Sequence, residues 1–169
     1  KILKAYFEEL NQNNKLRYIE EDYPLGTAGS LRFLRNKISG PFFVTNCDII
    51  IKANYTSIYK FHKSGGFDLT LVASTKEFII PYGTCKINEA GELASIDEKP
   101  KYDFLINTGF YILNPDILNL IPSKTFYHIT QLIDESKKVG MRIGVFPISD
   151  DSWIDIGQWS EYKQAIEKL

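Results

Sequence analysis

Along this chain the apolar positions switch repeatedly between helical spacing and the alternation or short runs that mark strands. Ile2, Leu3, Ala5, Tyr6, Phe7 and Leu10 recur at helical spacing, and the asparagines at 11, 13 and 14 would stop that helix before residues 16–20 alternate like a strand. Residues 28–36 read as a second helix behind a glycine-bearing turn. Residues 41–45 form a short, nearly continuous apolar run of the buried parallel type. Residues 55–63 are helical by spacing, Gly65-Gly66 breaks them, and residues 68–73 supply a β-branched strand. Residues 82–88 and 92–97 flank an Asn-x-x-Gly turn, which predicts an antiparallel hairpin. A strand over 105–113, a short helix opened by Pro115, a helix over 130–138, a strand over 142–148 and a closing helix over 157–169 complete the order.

This alternation predicts an α/β fold with three layers, its sheet mixed but mostly parallel and interrupted by an antiparallel insertion. At 169 residues, 44% of them hydrophobic and 14% aromatic, the chain can bury one sizeable core, and one domain is expected. A net charge of -1 gives no overall field drawing it to nucleic acid or anionic lipid, so any phosphate must be held locally. Cys47 and Cys85 form no close pair, which fits a reducing compartment and an expected cytoplasmic location. The apolar runs fall far short of the roughly 20 residues that cross a bilayer. The first residues have neither the apolar core of a signal peptide nor an initiator Met, so the chain is expected to be part of something longer.

Ligands of parallel α/β sheets bind beyond the carboxyl ends of the strands, which directs attention to residues just after each strand. Asp48 follows the apolar run 41–45, where a carboxylate is poorly explained by solvation of a surface. A hard cation would justify it. Mg2+ takes one or two protein carboxylates plus water, and the second candidate is Asp155; an N-cap role for Asp48 and a helix-start role for Asp155 are the alternatives. Gly26 and Gly29 flank Thr27-Ala28 and would leave N–H groups exposed at a helix start, for a base edge, a phosphate or no more than a capped turn. Glu98-Lys99-Pro100 is by itself a surface charge pair, and Asn107 a strand-end turn former. His62 and His128 lack ligand spacing, and Asp150-Asp151 reads as a solvated loop.

Taken in order, Leu25-Gly-Thr-Ala-Gly-Ser-Leu31, Thr45-Asn-Cys-Asp48, Tyr82-Gly83, Glu98-Lys-Pro100, Ile106-Asn-Thr-Gly109 and Trp153-Ile-Asp-Ile-Gly157 resemble the sugar nucleotidyltransferases, or nucleotide-sugar pyrophosphorylases. The Leu-Gly-Thr-Ala-Gly form of the loop resembles the mannose-1-phosphate guanylyltransferase branch. The resemblance implies a Rossmann-like α/β/α fold and transfer of NMP from an NTP to a sugar 1-phosphate, with release of pyrophosphate. It places Gly26, Thr27, Ala28 and Gly29 at the base, and Asp48 and Asp155 on Mg2+. Lys99 becomes a point charge on the sugar phosphate, so that Asp48, Lys99 and Asp155 are the catalytic set. Glu98 would accept hydrogen bonds from sugar hydroxyls, Gly83 would admit the sugar close to backbone, and Asn107 and Gly109 would line the opposite wall. Cys47 stands where the family often has Gly.

The family's Gly-x-Gly-Thr-Arg-Leu loop and its Pro-Lys-Pro segment occur nowhere in the chain. The N-terminal strands are therefore expected to be missing and the chain alone inactive. The position beside residues 41–45 should be open, filled by a homodimer partner or by the missing N-terminal segment of the same polypeptide. NTP and sugar 1-phosphate are the expected ligands. Two rivals remain: a non-catalytic regulatory domain that binds a nucleotide sugar, and a metal-dependent glycosyltransferase, whose acidic motif Asn46-Cys-Asp48 would imitate.

Overall fold

A computed structural model of the protein describes residues 6–7 and 16–157. The helix expected over residues 2–10 lies almost wholly outside the described residues, as does the one expected over 157–169. In chain order the elements are α1 (Gly26–Gly29) running into a 3-10 turn Ser30–Leu34, β1 (Phe42–Thr45), β2 (Ile49–Ile51), α2 (Tyr55–Gly65), β3 (Leu69–Ile79), β4 (Thr84–Ile87), β5 (Leu93–Asp97), β6 (Lys101–Leu113), a 3-10 turn Pro115–Leu120, α3 (Ile129–Lys138), β7 (Ile143–Ile148), a 3-10 turn Asp150–Ser152 and β8 (Trp153–Asp155).

The main sheet has the order β1-β6-β3-β7, and each face carries its own apolar cluster. Leu69, Tyr111 and Leu113 pack with Ile117, Leu118 and Leu132 on the α3 face. Val72, Phe110, Ile112 and Ile148 pack with Ile58 on the α2 face. Neighbouring strand residues point to opposite faces, so two clusters on one sheet make three layers. The residues over 110–113 serve both faces and are buried throughout, each contributing about 1.5–3 kcal/mol if fully removed from water. Helix α2 has clear ends: the Asn54 side chain accepts from the Ser57 N–H at 3.0 Å, and Gly66 at φ 57° closes it with bonds to the carbonyls of His62 and Lys63.

The α/β class with a mixed sheet is as expected, but the parallel share is smaller. Among the described strands only β3 with β7 is parallel, while β1 with β6 and β3 with β6 are antiparallel. Residues 41–45 were expected to be of the parallel type; their continuous apolar run reflects two faces instead. Phe42 and Val44 join the α3-face cluster, and Phe43 stacks with Tyr55 and Phe110 on the other side. Strand direction leaves no mark in such a run. β1 is an edge strand, its second side unpaired with any described strand, as expected for residues 41–45. Residues 16–20 form no strand although they alternate, and all five are exposed. The helix expected over 28–36 is one α-turn followed by a 3-10 turn.

The insertion is antiparallel, as its pattern indicates. β4 and β5 pair across a turn in which Asn88 Oδ1 accepts from the N–H groups of Ala90 and Glu92, and Gly91 takes φ 82°. The arms of β3 and β6 that carry this hairpin run beyond the expected 68–73 and 105–113, the ladder continuing through Lys76↔Phe104, Glu77↔Asp103 and Phe78↔Tyr102.

Candidate functional site

Asp48 and Asp155 come together through a two-stranded ribbon separate from the main sheet. β2 pairs antiparallel with β8 in a register that places Ile49 opposite Asp155, and the Ile156 N–H donates to the Asp48 carbonyl at 2.8 Å. Asp155 Oδ1 accepts from the Gly157 N–H at 2.9 Å. Gly157 then marks the meeting point: a Cβ built there would lie 2.9 Å from Asp48 Oδ2 and 3.1 Å from Asp155 Oδ1. One oxygen of each carboxylate therefore faces a common spot that the bare glycine leaves clear. Among the described residues Asp48 caps no helix. No third His, Cys, Asp or Glu completes a cluster among the described residues, so this is a pair.

The ribbon is anchored on the α2 face by Ile49 and Trp153, which pack against the Val72–Phe110–Ile112 cluster. Lys76 Nζ sits 5.9 Å from the centre of the Trp153 ring. Beside the ribbon a cavity of about 500 Å³ opens between Phe43, Asn46, Cys47, Ile50, Tyr55 and Phe110. The Cys47 thiol is free and exposed.

The remaining candidates fall into separate groups. Gly83 and Glu98 are neighbours, for a Cβ on Gly83 would lie 2.9 Å from Glu98 Oε2; both are exposed, as is Lys99, which is held at φ 46° before Pro100. Gly109, at φ 81°, lies under Asn46: a Cβ there would approach Asn46 Nδ2 to 2.6 Å. Asn107 Nδ2 donates to the Tyr111 hydroxyl at 2.8 Å, and Asn107 Oδ1 accepts from the Gly109 N–H at 3.1 Å. Burial raises the Tyr111 phenol above its ordinary range, opposed in smaller measure by the Asn107 bond.

At the Leu-Gly-Thr-Ala-Gly loop, the exposed N–H groups expected at Ala28 and Gly29 are not free. Both residues are buried, and their N–H groups donate to the Tyr127 carbonyl at 2.9 and 3.2 Å, while Tyr127 N–H returns a bond to the Leu25 carbonyl. Thr27 Oγ1 accepts from the Ile129 N–H at 2.9 Å, satisfying a donor in the first turn of α3. Gly26 and Thr27 remain on the accessible side. Asn46 entered the sequence reading only as part of the motif before Asp48, and Tyr111 was not singled out; its one signal was nearness to Asn107 in the chain.

The chain belongs to the nucleotidyl transferase family, whose family model matches residues 1–169. Within that family it is similar to proteins named as mannose-1-phosphate guanylyltransferases. It is 34% identical over 173 residues to mannose-1-phosphate guanyltransferase 2 of Candida glabrata, covering 95% of this chain and 45% of that protein. It is 33% identical over 157 residues to mannose-1-phosphate guanylyltransferase 1 of Arabidopsis thaliana, covering 88% of this chain and 42% of that protein. The chain thus spans less than half the length of these relatives. Among solved structures, HddC from Yersinia pseudotuberculosis superposes with a TM-score of 0.70 at 27% identity, covering 99% of this chain and 72% of that one; HddC has also been solved with GMP-PN. Among the described residues no helix is long and apolar enough to cross a membrane.

Proposed function

We propose that this chain forms part of the active site of a sugar-1-phosphate nucleotidyltransferase. A sugar-phosphate oxygen attacks the α-phosphorus of an NTP, forming one P–O bond as the bond to the bridging oxygen breaks. Pyrophosphate leaves with that oxygen, and an NDP-sugar remains. No covalent enzyme intermediate is required, so the work is alignment of two anions and neutralisation of their charge.

The observation that carries this reading is the convergence of Asp48 and Asp155 on the open spot at Gly157. Two carboxylates with room between them suit a hard divalent cation that keeps several of its waters, and Mg2+ is the proposed ion. Members of this family generally use a divalent metal. Bound there, it would screen the charge of the phosphate oxygens. Lys99 and Glu98, exposed at the exit of the hairpin beside Gly83, would take the sugar phosphate and the sugar hydroxyls. Gly26 and Thr27 would meet the base, with Ala28 and Gly29 fixing the loop from behind. Guanine with mannose 1-phosphate is the first pair to try, since relatives bear that name. The triphosphate cradle that the resemblance assigns to Gly-x-Gly-Thr-Arg-Leu is not in these 169 residues, so the chain alone should not turn over.

The test is a coupled pyrophosphate-release assay on the chain and on the longest natural polypeptide that contains it, with a panel of NTPs and sugar 1-phosphates. Turnover by the longer polypeptide, lost in Asp48→Asn and Asp155→Asn, is expected. No turnover with any pair would refute the proposal.

A further inference from the structure

The Leu-Gly-Thr-Ala-Gly loop is fastened along one side by an extended stretch of chain, residues 125–129. The Tyr127 N–H donates to the Leu25 carbonyl at 2.8 Å, the Tyr127 carbonyl accepts from Ala28 and Gly29, and Thr27 Oγ1 accepts from the Ile129 N–H at 2.9 Å. Side chains of an extended stretch alternate in direction. Tyr127 and Ile129 are accordingly buried in the α3-face cluster, while Phe126 and His128 project away from it and are exposed, Phe126 by 54%. The two outward rings touch, with centroids 4.8 Å apart and planes at 87°, the edge-to-face arrangement that aromatic pairs favour. Thr27, itself exposed, takes the N–H of the residue that follows His128, so Thr27, His128 and Phe126 form one continuous accessible strip.

We propose that Phe126 is a wall of the base subsite, its ring stacking on a face of the nucleotide base, and that His128 is a positioning residue that holds that ring in place. This rests on the reading that Gly26 and Thr27 meet the base. A glycine and a threonine can give a base edge close approach and polar contacts, but they offer no apolar surface for its flat face. Phe126 supplies that surface on a backbone already fixed to the loop, and its contact with His128 reduces the side-chain freedom lost on binding. Every base has a π-face, so Phe126 contributes affinity without choosing among bases.

The test compares GMP with ribose 5-phosphate, which lacks the base, in ligand-observed NMR titrations of the chain. Tighter binding of GMP is expected; equal binding would overturn the base reading and this inference with it. Given a base contact, Phe126→Ala should weaken GMP about tenfold, the order of one lost base–aromatic stack, and leave ribose 5-phosphate unchanged. Phe126→Tyr should keep wild-type affinity. His128→Ala should weaken GMP by a smaller factor, with His128→Phe, which can keep the edge-to-face contact, restoring it; wild-type affinity in His128→Ala would remove His128 from the proposal. Circular dichroism and melting temperature verify folding, and if Phe126→Ala does not fold, Phe126→Leu, apolar but without a ring, decides. Undiminished GMP affinity in that variant would overturn the proposal while the base contact stands. Equal weakening of GMP and ribose 5-phosphate would overturn it too, by marking Phe126 as a support of the loop. In the longer polypeptide Phe126→Ala should raise KM for NTP with KM for sugar 1-phosphate unchanged; the reverse pattern would refute the stacking role by placing Phe126 at the sugar.

Discussion

Gly157→Ala separates the chemistry of the carboxylate pair from the stability of the fold. The new methyl would sit 2.9 Å from Asp48 Oδ2 and 3.1 Å from Asp155 Oδ1. Carbon and oxygen settle nearer 3.4 Å, so the Asp48 carboxylate must retreat by about half an ångström, and the space between the two acids is filled. Gly157 is exposed and is not among the glycines held at positive φ, so its backbone accepts alanine. Loss of unfolded-state freedom alone would leave stability equal or raise it by about 0.5 kcal/mol. Displacement of reacting groups by such distances costs on the order of tenfold or more in rate. The expected result is an unchanged or slightly higher melting temperature by scanning fluorimetry, with pyrophosphate release by the longer polypeptide down at least tenfold and a higher Mg2+ requirement. Normal turnover with a normal Mg2+ response would show that nothing is held between Asp48 and Asp155. A large fall in melting temperature would show that their arrangement serves the fold.

Further outcomes follow from other contacts. Gly26→Ala places a Cβ 2.7 Å from the Tyr127 carbonyl at φ 76°, against backbone fixed by hydrogen bonds, and should cost about 2–3 kcal/mol in urea unfolding. Thr27→Val orphans the Ile129 N–H and should cost about 1 kcal/mol, with Thr27→Ser close to wild type; equal stabilities would show that the hydroxyl does not cap α3. His62→Ala removes a ring, 1% exposed, that bonds Thr70 Oγ1 at 2.9 Å and Asn114 Oδ1 at 3.1 Å, and should lower stability by about 3 kcal/mol by calorimetry. Because burial raises the Tyr111 phenol in the folded state, its contribution is fully present below the unfolded value of 10.0 and is lost as pH rises through the folded value. Melting temperature should therefore fall above that pH, and less so in Tyr111→Phe; identical profiles would refute the assignment.

The sequence was most informative where local chemistry decides structure. Asn54 and Gly66 bracket α2, the Asn88 turn closes the hairpin, and the strands about Leu69, Tyr111 and Ile143 appear where β-branched and aromatic residues cluster. It was least informative about pairing. Residues 41–45 show apolar character on both faces but not their antiparallel partner, and residues 16–20 show alternation without a ladder. Asp48 and Asp155 could be proposed as partners from ion chemistry and resemblance, but nothing in their local sequences records that Ile49 lies opposite Asp155. The Leu-Gly-Thr-Ala-Gly loop shows the converse limit: its glycines announce close approach of backbone, yet at Ala28 and Gly29 the backbone that approaches is that of Tyr127.

The ribbon of β2 and β8 makes the candidate cation site a property of the folded chain alone, since the unfolded chain keeps Asp48 and Asp155 far apart along its length. An ion that prefers the paired carboxylates must then favour the native state by mass action, adding about 2.7 kcal/mol when present at a hundred times its dissociation constant. A divalent cation would act as a reversible clasp between two distant stretches of chain, and the chain's resistance to heat would report the ion's concentration even where no substrate is present.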